Sequence, residues 1–186
     1  MSSNTSFYTP KVEKIEIPDR SKLFGLLERF DFQECYTSHK VIPEKINAPF
    51  AFKKLFESPP TVVLVILKIR DFFFKIFGLK TANDVPNPIK FVDLPVDRDR
   101  PMVSDMDMSY NSPREVIWGL QDTHLTFAVS VYVNNEINSS EKNECTVYVS
   151  TVLKYNNTWG KVYFAFIRRI HGFVIESMLK KLMISL

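Results

Sequence analysis

Only two cysteines, Cys35 and Cys145, occur in 186 residues, and they stand far apart. A disulfide scaffold needs more, so both are expected as free thiols in a reducing compartment. Glycine is scarce too, with five scattered residues. None forms a phosphate-cradling loop or a G-x-S-x-G nucleophile elbow. The three histidines, His39, His124 and His171, have no paired spacing in the sequence. No metal and no cofactor is therefore expected. Long hydrophobic runs are missing. The most apolar one, Thr61 to Leu67, is closed by Lys68, Arg70 and Asp71, far short of the ~20 residues of a membrane span. The first residues hold no apolar signal core. Nor is there an excess of one charge. A net charge of +3 with both signs interspersed argues against a dedicated nucleic-acid binder, which concentrates Lys and Arg on one face. These absences leave a soluble, cytoplasmic protein with no membrane span, its oligomeric state open.

What is present is apolar and aromatic. Hydrophobic residues make up 45% and charged residues 24%, the balance of an ordinary globular chain. Its length suits a single domain, residues 1–186, with 1–18 as a polar lead-in. Sixteen phenylalanines stand against seven tyrosines and two tryptophans. They can fill a dense core or line a cavity.

Periodicity then divides the chain. Leu23, Leu26, Leu27 and Phe30 at helical spacing predict a helix over Asp19–Phe30, capped by Asp19 or Ser21. A first strand is predicted over Phe32–Ile42, its alternation imperfect. Two helices should follow. Asn47 caps the first, which carries Phe52, Leu55 and Phe56. The second, Pro60–Phe77, has Val62, Val65, Ile66, Ile69, Phe73 and Ile76 on one stripe and Gly78 as its stop. Phe91–Val96 reads as an edge strand, because Pro95 interrupts it. Arg98–Pro113 reads as a loop. Three alternating segments come next, at Glu115–Leu120, His124–Val133 and Cys145–Tyr155. Their alternation is that of an antiparallel sheet with one buried face. A helix over Thr158–Leu182 closes the chain, with Tyr163, Phe166, Ile167, Ile170, Phe173, Val174 and Met178 expected as its buried stripe. The fold class is α+β.

Three stretches carry a resemblance: PPTVVLVILKIRDFFFKIFGLK, EVIWGLQDTHLTFAVSV and STVLKYNNTWGKVYFAFIRRIHGFVIESMLKKL. Between Ala48 and Leu182 the chain resembles an uncharacterised bacterial domain-of-unknown-function family of the START-like (SRPBCC) superfamily, whose members sometimes follow NAD-binding epimerase-like domains. The resemblance implies a helix-grip fold, an antiparallel sheet wrapped around a long C-terminal helix with two short helices after the first strand. It also implies a cavity between sheet and helix, and it assigns no reaction.

Three residues stand out as ligand-binding candidates. Arg70 is the one charge within the apolar arc of the Pro60–Phe77 helix, where a guanidinium must reach water, a carboxylate or an anionic ligand. His171 lies at the margin of the closing helix's stripe and could donate or accept a proton in the cavity. His124 opens a strand on its polar face. The bland readings are a snorkelling arginine and two hydrogen-bonded structural histidines. The carboxylate pairs Asp97/Asp99 and Asp105/Asp107 read as solvated loop charge. Lys161, Arg168, Arg169, Lys180 and Lys181 read as the wet side of an amphipathic helix.

The leading functional expectation is a binding protein for a small hydrophobic or amphipathic molecule held between sheet and C-terminal helix. An enzyme of cyclase or hydratase type, using His171 as acid or base, is the alternative. A structural or partner-regulatory domain with a filled core is the third.

Overall fold

The computed structural model describes residues 9–25, 29–57, 61, 102–103, 107–121, 123–137 and 141–186. Among the described residues seven strands form one sheet: β1 (Glu13–Ile15), β2 (Phe32–Val41), β3 (Met102–Val103), β4 (Asp107–Asn111), β5 (Glu115–Gln121), β6 (Leu125–Ile137) and β7 (Asn143–Tyr155). Their spatial order is β1-β2-β7-β6-β5-β4-β3, with every neighbouring pair antiparallel. Among the described residues two α-helices accompany it, α1 (Ala48–Glu57) and the long C-terminal α2 (Thr158–Ser185). The architecture is α+β, as the change of period predicts. Among the described residues no helix is long and apolar enough to cross a membrane.

The centre of the sheet follows directly from alternation. Trp118, Val129 and Thr151 stand opposite one another across β5, β6 and β7, and Glu34 of β2 completes the row. This face meets the helices. Val131, Val133, Val147 and Val149 pack with Ala51, Phe52 and Leu55 of α1 and with Ile175, Met178, Leu179, Leu182 and Met183 of α2. The opposite face carries Cys35, Ile117, Ala128 and Val152, covered by Ile17 and Leu23. Both cysteines are buried and free, and burial pushes the Cys145 thiol up to about 11.

Several expectations change. The lead-in supplies β1, because Glu13–Ile15 lies against Cys35–Thr37. Of the helix expected over Asp19–Phe30, the described residues contain only a 3-10 turn, Lys22–Gly25. Ser21 does act at its start, since its hydroxyl accepts from Leu23 N–H, but it also donates to the buried Glu115 carboxylate at 2.6 Å. That tertiary bond holds the segment against the sheet. The expected loop over Arg98–Pro113 contains β3 and β4, which extend the sheet beyond β5. The strands expected over His124–Val133 and Cys145–Tyr155 run further, because the β6–β7 ladder continues to Ile137 opposite Asn143. α1 forms where expected, with Asn47 Oδ1 accepting from Phe50 N–H at 2.9 Å. Apart from Thr61, the Pro60–Phe77 helix lies outside the described residues, as do the Phe91–Val96 strand and Arg70.

The C-terminal helix is in place but turned. Asn157 caps it through Oδ1 and Gly160 N–H. Its buried residues are Gly160, Phe164, Ile175, Met178, Leu179, Leu182 and Met183. Phe166 is 76% exposed and Phe173 50%, so the expected stripe is about one residue, or ~100°, out of phase. Gly160 explains the turn. A Cβ there would collide with the backbone oxygen of His124 and lie 2.8 Å from its carbonyl carbon. Only a glycine face lets the helix start this close to the β5–β6 turn.

Candidate functional site

Glu34 occupies an inward position of β2, between Phe32 and Tyr36 on the same face. A carboxylate there is costly unless its oxygens are satisfied. Its side chain is 3% exposed, and both oxygens are used. Oε1 meets His171 Nδ1 of α2 at 2.5 Å. Oε2 accepts from Lys14 Nζ at 3.1 Å and from the Tyr36 hydroxyl at 3.3 Å. Burial opposes the charge on Glu34, but the hydrogen bonds and charges of His171 and Lys14 outweigh it and hold the carboxyl below its ordinary range. The hydrogen bond to Glu34 raises Lys14, and burial, followed by the charge of Glu34, raises the Tyr36 phenol.

An open cleft of about 560 Å³ lies beside this cluster. Lys14, Glu34 and Tyr36 form its strand side; Ala165, Arg168, Arg169, Gly172, Phe173 and Glu176 form its helix side. The helix residues recur at steps of three and four, so they are one face of α2. Gly172 gives Tyr36 its place. A Cβ at that position would collide with the phenolic oxygen and stand 3.3 Å from Cζ. Arg168 stacks its guanidinium 5.2 Å from the Phe32 ring centroid, a geometry that guanidinium tolerates well. Phe32 in turn packs edge-on against Phe164, with centroids 4.7 Å apart.

The charges of the cleft are unequal. Glu34 is occupied by His171 and Lys14, and Glu176 pairs with Lys180 at 2.6 Å. Among the described residues neither Arg168 nor Arg169 is paired with a carboxylate. The cleft is thus a cationic recess with an aromatic edge. Chemically it suits an anion that carries an apolar portion. Among the described residues no group of three His, Cys, Asp or Glu gathers as a metal site.

A profile of the family described as "Protein of unknown function (DUF2867)" matches residues 26–178, most of the chain. The chain belongs to DUF2867. That match covers β2, α1, β3 to β7 and the part of α2 that builds the cleft, so the site of this DUF2867 protein is formed mainly by the span shared with its family. Lys14 lies before it. No curated protein and no solved structure matches the sequence.

Of the three residues singled out from the sequence, His171 and His124 lie far apart, and Arg70 lies outside the described residues. His171 lies behind the cleft wall, gripping Glu34, and is not part of the lining. His124 sits at the start of α2. Its Nδ1 is 3.1 Å from Asn157 Nδ2, and its carbonyl accepts from Asn156 N–H. The helix rise of 1.5 Å per residue separates its neighbour Asn157 from His171 by about 21 Å. Sequence reading missed Glu34, Tyr36 and Lys14. The available signal was the imperfect alternation of Phe32–Ile42: Glu34 shares the parity of Phe32 and Tyr36, which places a charge on an inward face.

Proposed function

We propose that this protein binds a small amphipathic molecule with an anionic head group in the cleft between β1–β2 and α2. The observation that carries the reading is Arg168 and Arg169 on the cleft wall without carboxylate partners, beside a Glu34 already saturated by His171 and Lys14. The guanidinium groups would hold the head group, and Phe173, Ala165 and the Tyr36 ring would meet the apolar part. His171 then acts as a positioning residue, fixing Glu34 so that it stays out of the arginines' reach. Arg70, named from the sequence as an anchor, is a further candidate on the same chain. The helix-grip fold of the START-like superfamily is the architecture we infer, as a single domain. The antiparallel sheet with a long C-terminal helix across one face supports it.

A second reading has its own observation. A histidine oriented by a buried carboxylate is the arrangement that general acid–base chemistry uses, and Glu34–His171 is such a pair. With Glu34 on the lining and His171 behind it, the pair would make the same cleft an enzyme of cyclase or hydratase type in which Glu34 faces the substrate and His171 exchanges its proton.

Native mass spectrometry of the purified protein would reveal a retained acidic amphiphile. Calorimetric titration with dodecanoate provides the quantitative test. The wild type should bind, and the Arg168→Gln/Arg169→Gln variant should bind on the order of tenfold more weakly or worse, since charge-assisted bonds are lost. Equal affinity in both proteins, or no binding by the wild type, overturns the reading.

A further inference from the structure

The first half of α2 presents a second face, turned away from the sheet. Trp159 is 64% exposed, Val162 45%, Phe166 76%, Ile170 41% and Phe173 50%. They recur at steps of three and four, which confines them to an arc of roughly 80°. An ordered row of large exposed apolar side chains marks an interaction surface.

Charge indicates what covers it. From Thr158 to Ile175 the helix carries Lys161, Arg168 and Arg169 and not one Asp or Glu; Glu176 is the first acidic residue. By helical phase Arg169 flanks the apolar row directly. Lys161 and Arg168 lie further round on the same side. A second copy laid antiparallel on this face would bring two such cationic flanks to the same side and be repelled. A surface of negative head groups over an apolar interior matches both features at once.

We propose that this face of α2 docks on bilayers containing anionic phospholipid. The helix lies in the plane of the surface, with Trp159, Val162 and Phe166, all outside the cleft lining, entering the acyl boundary and Lys161 meeting phosphates. The row from Trp159 to Phe173 is about 21 Å long, enough to lie along the interface as one element. Phe173 also lines the cleft, so docking would set the cleft mouth at the lipid surface. The proposal goes beyond ligand binding in the cleft and does not depend on it.

The chain contains its own probe. Of the two tryptophans, Trp118 is 9% exposed and Trp159 is 64%. Full-length protein is mixed with vesicles of phosphatidylcholine, with or without about 30% phosphatidylglycerol. Co-sedimentation and a blue shift of tryptophan emission are expected with the anionic vesicles only, weakened by about 0.5 M salt. Trp159→Phe should abolish the shift while leaving sedimentation. Phe166→Ser, a change outside the cleft, should weaken sedimentation on the order of tenfold. Its dodecanoate affinity should be unchanged, which separates this proposal from the ligand reading. No association with anionic vesicles, or association indifferent to Phe166→Ser, overturns it. So does a concentration-dependent dimer in which Trp159 is already shielded before vesicles are added.

Discussion

His171 Nδ1 and Glu34 Oε1 lie 2.5 Å apart, joining the middle of the C-terminal helix to the second strand across 137 positions of chain. The contact is a polar seam in the interface between β2 and α2, which also holds the Phe32–Phe164 ring pair.

That seam sets a pH dependence. Because the folded state holds the Glu34 carboxyl below its ordinary value of 4.5, its charge stabilises the fold fully above that pH. The contribution is lost as pH falls through the lowered value. Urea unfolding of wild type and Glu34→Gln should differ at neutral pH by about 1–3 kcal/mol, the cost of disturbing a buried, satisfied group. The two curves should converge in acid, once the pH is below the lowered value and the carboxyl is protonated in both states. A gap that persists at low pH would exclude the carboxylate's charge as its source.

Phe164 and Phe166 separate the true phase of α2 from the one that its sequence suggests. Phe164 is 3% exposed and Phe166 76%. Phe164→Ala should destabilise by about 3–5 kcal/mol, whereas Phe166→Ala should stay within about 0.5 kcal/mol. Thermal melts of the pair read this out directly, and a reversal would mean that the helix is rotated from the orientation described.

The two glycines of α2 should respond differently to alanine. At Gly160 the new methyl meets the His124 backbone, which cannot step aside without moving the β5–β6 turn. A loss of about 1–3 kcal/mol is expected. At Gly172 it meets the outer end of the Tyr36 side chain, which can swing away. Alanine also favours a helix over glycine by about 1 kcal/mol. Gly172→Ala should therefore fold with near-normal stability but displace Tyr36 from Glu34. An unchanged phenol titration in that variant would count against the displacement.

Much of the sheet is legible in the sequence because β5, β6 and β7 alternate cleanly, and a period of two allows only one assignment of faces. Phe127, Val129, Val131 and Val133 leave no choice. β3 and β4 escape because Pro101, Pro113 and three aspartates give that stretch the composition of a loop, while its pairing depends on a neighbour already formed. The rotation of α2 escapes for the opposite reason. From Val162 to Ile175 apolar residues surround the helix, so no single stripe is marked. Its orientation depends on Gly160, on the Phe32–Phe164 contact and on the Glu34–His171 bond, all of them tertiary. The candidate site is hidden by the same logic. Its charges come from β1, β2 and α2, distant in the chain and unremarkable one at a time.

On the far face of the sheet, Glu115 is 3% exposed. Its carboxylate is met by the hydroxyls of Ser21 and Ser130, each at 2.6 Å, and by Lys22 N–H at 2.8 Å. Two of these three donors precede residue 26, where the family match begins. A chain trimmed to the matched span would leave that carboxylate with Ser130 alone and would lose Ile17 and Leu23 from the apolar cluster around it. It would also end before Leu179, Leu182 and Met183, which lie in the other core. The stretch by which the family is recognised is therefore shorter than the stretch that shares its interior, and Ile17 to Leu23 on one side of it and Leu179 to Met183 on the other are structural members rather than tails.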